Sequence, residues 1–321
     1  MAGDGSSGED GDTDERHGTL MAMVAGAPRN GFGMVGTWSQ LKLVGVRASN
    51  KGEDDFPFTR YRTGIQKCRE LRQDGHPIKV IELALGGSEA PGDSDLARLE
   101  DTIDQARADG INVIGAAGND GDGSVIYPAR VDEVLAVGAS EGDGDFCDFS
   151  NRGEGLDLKA PGCGLDTADP KDGDETTTRG TSQASAIAAA TIAALRTYDE
   201  DIDVEEAEEL VLQSADDGNL DIKAAFRRAG LDGVIEAGKG NVPDRDDSGS
   251  NNSDDRGDGN GGGDSSSGGS GGGGGSDSCG EPGDAGPLAP PPPTLAALPA
   301  PSFSHVVRRG VLLLRLRNRP P

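Results

Sequence analysis

Apolar positions along this chain fall into two alternating patterns. Residues 41–46, 79–85, 111–116, 134–139 and 156–160 form short, nearly continuous apolar blocks, the signature of buried strands. Between them the spacing changes to that of helices. Ile65, Cys68 and Leu71 mark one stripe within residues 58–74, which end at Gly75. Leu96, Leu99, Ile103 and Ala106 mark another, opened by Asp93 or Ser94 and stopped at Gly110. Strand, helix and strand at this spacing predict a parallel βαβ unit. Residues 20–25 are a short helix-like run ending at Gly26 and Pro28, and 186–195 are a second, alanine-rich one. Two amphipathic helices, over 204–215 and 221–229, complete an open three-layer α/β sandwich with a mostly parallel sheet.

Outside residues 17–240 the pattern breaks down. Residues 1–16 are Gly, Ser, Asp and Glu without periodicity and predict disorder; they do not read as a secretory signal. Residues 241–303 predict a linker, flexible where Gly and Ser dominate and stiffer around Pro290 to Pro293. Residues 304–321 end basic and apolar, with Val311, Leu313, Arg315 and Arg317 on one side. They read either as a basic tail or as the opening of a further β domain.

Composition adjusts this picture in three ways. A hydrophobic content of 33% and an aromatic content of 3% suit a folded body with unfolded appendages. A net charge of -27 with no offsetting basic stretch excludes nucleic-acid binding as a role. No segment is apolar and long enough to span a membrane. The four cysteines lack metal-ligand spacing; Cys147 and Cys163 are open to a disulfide or to two separate thiols.

Three short segments carry chemistry. His17-Gly18-Thr19 puts an imidazole at the head of a helix. Ala116-Ala117-Gly118-Asn119 puts a carboxamide just past a strand's carboxyl end. Gly180-Thr181-Ser182 puts a hydroxyl in the first turn of the alanine-rich helix, where free N–H groups favour negative charge. In an open parallel sheet, sites gather beyond the strand carboxyl ends, so the three can converge. A hydroxyl, an imidazole to take its proton and an amide to hold an oxyanion suit acyl transfer. Singly, each is ordinary turn or capping chemistry, and His76, before Pro77, reads as a surface loop residue.

Taken in order, these pieces closely resemble the subtilisin-like serine proteases. The resemblance runs from about His17 to Gly230 and includes His17-Gly18-Thr19, Ala84-Leu85-Gly86-Gly87, Ala116-Ala117-Gly118-Asn119, Tyr127-Pro128-Ala129, Phe149-Ser150-Asn151, Ala160-Pro161-Gly162 and Gly180-Thr181-Ser182. It implies Ser182 as nucleophile, His17 as general base and acid, and Asn119 as oxyanion donor. It implies Leu85, Gly86 and Gly87 as the edge that pairs with extended substrate, and Ala116, Ala117 and Gly118 as a wall of the pocket for the side chain before the cut bond. Polypeptide substrates, an extracellular or cell-surface location and no required cofactor follow from it. Calcium is compatible with the family and with so acidic a surface, but no ligand spacing names its residues.

The chain departs from the pattern in two places. The family's acid residue should end an apolar first strand, followed by Thr or Ser and Gly, well upstream of the histidine. Asp10, Asp12 and Asp14 match it in type only, so the domain reads as N-terminally incomplete. Ala186 stands where the family usually has proline, a mild change because alanine is a good helix former. The expectation is a serine endopeptidase weakened by the lost carboxylate, with an inactive, peptide-binding or scaffold relative as the alternative.

Overall fold

The computed structural model describes residues 16–31, 33–48, 58–121, 123–170, 173–234 and 310–315. The disorder expected over 1–15 and the linker expected over 241–303 lie outside them, as do Asp10, Asp12 and Asp14.

A six-stranded sheet forms the middle layer. Its strands are β1 (Leu43–Arg47), β2 (Ile78–Leu83), β3 (Asn112–Ala116), β4 (Leu135–Ser140), β5 (Leu158–Pro161) and a last strand, Gly310–Arg315. From β2 through β5 neighbours pair in parallel, Val80 opposite Asn112 and Ile114 opposite Leu135. Such strands are covered on both faces, and their side chains show it: Ile78, Val80, Ile81 and Leu83 are all fully buried.

Helices α2 (Phe58–Gln73) and α3 (Asp93–Ala108) cover one face, closing a cluster of Ile65, Ile81, Leu99, Ile103 and Val113. Asp93 and Asp95 lie in the first turn of α3, where the helix dipole favours acid. The other face carries α1 (His17–Gly26), α4 (Thr181–Tyr198), α5 (Val204–Ser214) and α6 (Ile222–Arg228). Asp203 and Asp221 cap α5 and α6, accepting from the N–H groups of Glu206 and Ala224 at 2.8 and 2.9 Å. This is the expected three-layer α/β sandwich with a mostly parallel sheet.

α4 is the spine of the second layer. Ala184, Ala186, Ala188, Ala189, Ala190 and Ala193 are fully buried, so the helix sits close to β2, β3, β4 and β5. Its far end is pinned by Arg196, which donates to Asn112 Oδ1 at 2.7 Å and to the carbonyls of Lys79 and Gly110 at 3.1 Å. Burial pulls that guanidinium down to about 10. Fixing the far end of an 18-residue helix also fixes its first turn, about 20 Å away at about 1.5 Å per residue.

Two features depart from the sequence expectation. β6 (Leu165–Ala168) and β7 (Glu175–Thr178) form a separate antiparallel hairpin. Glu-Thr-Thr-Thr offers no apolar alternation, so nothing in the hydrophobic pattern marks it. The second is β8 (Gly310–Arg315), which enters the main sheet between β1 and β2, antiparallel to both. Residues read as a basic tail or as the opening of a further β domain thus supply an interior strand. Cys147 and Cys163, left open by their spacing, form a disulfide with Cα atoms 5.9 Å apart.

Candidate active site

Ser182 owes its place to the turn before it. Gly180 has φ 155° and ψ 160°, and a Cβ there would come within 2.5 Å of Gln183 Oε1. Only glycine makes that turn without strain. The Gly180 N–H donates to the Gly162 carbonyl at 2.8 Å, beside the bridged Cys163. Thr181 and Ser182 then open α4, and the Ser182 N–H belongs to the first turn, where the helix itself supplies no acceptor. Ser182 is 7% exposed, buried except at the cleft.

Asn119 follows β3 and is held by that same first turn. Its Oδ1 accepts from the Thr181 N–H at 2.8 Å and from the Thr181 hydroxyl at 3.1 Å. The Thr181 hydroxyl in turn accepts from the Gly118 N–H at 3.1 Å. These bonds engage the carbonyl end of the Asn119 side chain and leave its NH₂ end for the cleft. Gly118 sits at φ 109°, and a Cβ there would approach Asn151 Nδ2 to 2.4 Å. A side chain at this position would push the loop, and Asn119 with it, out of register.

His17 is the first residue of α1, after Arg16 in left-handed backbone at φ 48°. Arg16 donates to the Pro170 carbonyl at 2.9 Å, which ties the start of α1 to the loop after β6. Met21, Ala22, Val24 and Ala25 bury the helix against α4. The His17 Nε2 lies 3.3 Å from the carbonyl oxygen of Ala84, the residue that follows β2.

His17, Asn119 and Ser182 line one cavity of about 330 Å³, with Leu85, Gly86, Gly87, Ala116 and Gly118 around them. Of the residues expected to bind substrate, Ala117 alone stays out of it. It is fully buried, its N–H donating to the Val137 carbonyl and its own carbonyl accepting from the Ile126 N–H. A second cavity, of about 430 Å³, shares His17, Asn119 and Ser182 and reaches Asp169, Thr176 and Arg179 on the far side. The three residues therefore stand between two hollows. Among the described residues, no three His, Cys, Asp or Glu side chains gather as a metal site needs.

Sequence reasoning missed several residues here. Ile126, Ser88, Asp120 and Thr181 line the first cavity. Beneath it, Glu82 is fully buried in β2 with its Oε1 2.6 Å from the Ser185 hydroxyl, whose oxygen is 2.9 Å from the Ser182 carbonyl. Burial pushes the Glu82 carboxyl up to about 8, against the weaker lowering effect of the Ser185 hydrogen bond. A single hydroxyl hydrogen cannot serve both contacts. A protonated Glu82 resolves this by donating to Ser185, which then donates to Ser182. The signal was present: one acidic residue inside the apolar run 78–85.

Comparison with known proteins follows the same lines. A profile of the subtilase family matches residues 2–261. Alkaline elastase YaB of Bacillus sp. (strain YaB) is 31% identical over 160 residues, 49% of this chain and 39% of that protein. The minor extracellular protease Epr of Bacillus subtilis (strain 168) is 31% identical over 188 residues, 58% of this chain and 27% of the relative. The chain thus spans less than half the length of either. Among solved structures, a protease from Pseudoalteromonas arctica PAMC 21717 superposes with a TM-score of 0.59 at 25% identity, over 66% of this chain and 70% of that one.

Proposed function

Because the chain belongs to the subtilase family, we propose that it is a serine endopeptidase cutting polypeptides through an acyl-enzyme on Ser182. The observation that carries this reading is the shared lining of the two cavities by His17, Asn119 and Ser182. The Ser182 Oγ attacks the carbonyl carbon of the scissile bond while His17 takes its proton. The oxyanion forms between the Asn119 NH₂ and the Ser182 N–H. The first donor is oriented by Thr181 and the second belongs to a helix's first turn. His17 returns the proton to the departing amine, and water then repeats the sequence on the ester. For this an imidazole nitrogen must reach the Ser182 hydroxyl across the cavity that both residues line, and catalytic contacts of this kind tighten when substrate binds.

Substrate backbone lies along Leu85, Gly86 and Gly87, an edge already paired on its other side by the reciprocal Gly87–Tyr127 hydrogen bonds. The chemistry requires no cofactor. The disulfide supports an exported enzyme, since such bonds persist in oxidising compartments. Among the described residues no helix is long and apolar enough to cross a membrane.

A fluorophosphonate probe tests the reading. It is expected to label the folded protein at Ser182 and to leave Ser182→Ala unlabelled. A folded protein that stays unlabelled would favour the inactive, peptide-binding alternative.

A further inference from the structure

β8 comes to the main sheet by a different route from β1, β2 and β3. β1 leads to β2 through α2, and β2 to β3 through α3, whereas β8 is joined to the body through residues 235–309 and runs antiparallel to both of its neighbours. Gly310 to Leu314 pair with Arg47 to Leu43, and Val311 to Arg315 pair with Leu83 to Ile78. β1 and β2 do not pair with each other, and β1 has no other partner in the sheet. They stand about 10 Å apart, the width of one inserted strand. The slot also has a helix on each face, since α1 and α2 both lie against β8. Its lips are apolar on both sides. Leu43, Val80 and Ala84 pack with Met21 and Val24 of α1, and Val44, Val46, Ile81 and Leu83 pack with Tyr61 and Ile65 of α2.

We propose that the slot between β1 and β2 is a binding site for an extended apolar segment flanked by arginines, and that β8 is its ligand, held by pairing rather than by its chain connection, so that the same segment on a separate chain also occupies it. The chemistry of the occupant is written in its sequence. Residues 310–314, Gly-Val-Leu-Leu-Leu, carry no charge, as a strand covered on both faces requires, and no proline to interrupt the ladder. Arg308, Arg309, Arg315 and Arg317 flank them, and residues 306–317 include no acid, in a chain whose net charge is -27. Opposite charge therefore steers the segment to the body. A strand added at a sheet edge gains hydrogen bonds on one side; here it gains them on two, and it gives β1 a partner.

The test uses the full chain in a Ser182→Ala background, with a recognition sequence for a site-specific protease inserted after Gly273. The folded protein is cut there and run on a size-exclusion column. The fragment carrying β8 is expected to travel with the body, while the amides of β1 and β2 keep their protection from hydrogen exchange. A fluorescent peptide of residues 306–317, incubated with the cut protein, is expected to enter as the fragment leaves, read as a rise in anisotropy. The same peptide with Leu312→Pro lacks one ladder N–H, opposite Gly45 and Glu82, and should bind about tenfold more weakly or worse. A fragment that separates from the cut body, whether or not that body stays folded, overturns the proposal. So does a peptide that never enters, or one that binds equally well with Leu312→Pro. None of these readouts needs turnover, so the protease reading stands or falls separately, on the labelling of Ser182.

Discussion

Replacing Glu82 by glutamine removes one ionisable proton from the middle of the sheet and little else. The Glu82 side chain is fully buried, its Oε1 meets the Ser185 hydroxyl at 2.6 Å, and its Oε2 has no hydrogen-bond partner. A glutamine amide keeps the shape and donates to the same hydroxyl. The two side chains differ once the carboxyl would ionise. An unfolded glutamate loses its proton near 4.5, whereas the folded one holds it to about 8 because burial disfavours the charge. Below 4.5 both states are protonated and the group costs nothing. From there to about 8 the folded state keeps a proton that the unfolded chain has released, so stability falls as pH rises. Above about 8 both are ionised and the penalty is complete. At about 1.36 kcal/mol for each pH unit, it reaches about 5 kcal/mol. That is comparable to the whole stability of many domains.

The assay is urea unfolding from pH 4 to pH 9, followed by the single tryptophan, Trp38, in a Ser182→Ala background that cannot digest itself. Every other charge is common to the two proteins, so the difference between them isolates the carboxyl. Glu82→Gln should match the parent within about 1 kcal/mol near pH 4 and exceed it by several kcal/mol at pH 9. Two stability curves running parallel across that range would show that Glu82 is hydrated or ionised in the folded state, and the argument from burial would collapse.

Three further outcomes follow from the same geometry. Asn119→Ala should lower kcat by about 10²- to 10³-fold with little change in KM, the cost of losing one oxyanion donor; steady-state kinetics on a short peptide substrate check it. Replacing Cys147 and Cys163 together by serine should cost about 3 kcal/mol, since the closed loop has a separation of 16 residues, measured as a fall in thermal midpoint that reductant reproduces in the parent protein. Ending the chain at residue 301 removes β8, so the amides of β1 and β2 should exchange hydrogen much faster while those of β4 and β5 change little; equal protection in the shortened chain would mean that β8 contributes nothing to the sheet.

The fold was legible where one physical signal dominated. Ile78, Val80, Ile81 and Leu83 are all fully buried, so an apolar run broken only by Lys79 and Glu82 was enough to mark β2. Leu99, Ile103 and Ala106 face the sheet from α3, so helical spacing was enough there. β7 had no such signal, because its side chains alternate between half-buried and exposed and include no hydrophobic residue. It exists through its register with β6, Leu165 opposite Thr178 and Ala168 opposite Glu175. β8 was ambiguous for a different reason. Its apolar character announced a strand but not an address, since a strand's partners lie wherever a sheet has backbone left unpaired. Here that place is between β1 and β2, more than two hundred residues earlier in the chain.

Much the same limit governs the site. Glycine, histidine, asparagine and serine stood out as an ordered set that resembles one family, since singly each is ordinary turn or capping chemistry. Ile126 and Glu82 could not be weighted that way. An isoleucine is legible as apolar, but whether it serves a core or closes a pocket depends on what stands on either side, here two glycines 32 positions apart. Glu82 carried a sharper hint, a carboxyl in the middle of an apolar strand. Burying it charged costs more than most single contacts can return, so its place there implies a proton. Its partner, Ser185, lies one helical turn beyond Ser182. Both side chains thus take their meaning from neighbours distant in sequence, and for Glu82 the decisive measurement compares two forms of one protein across pH.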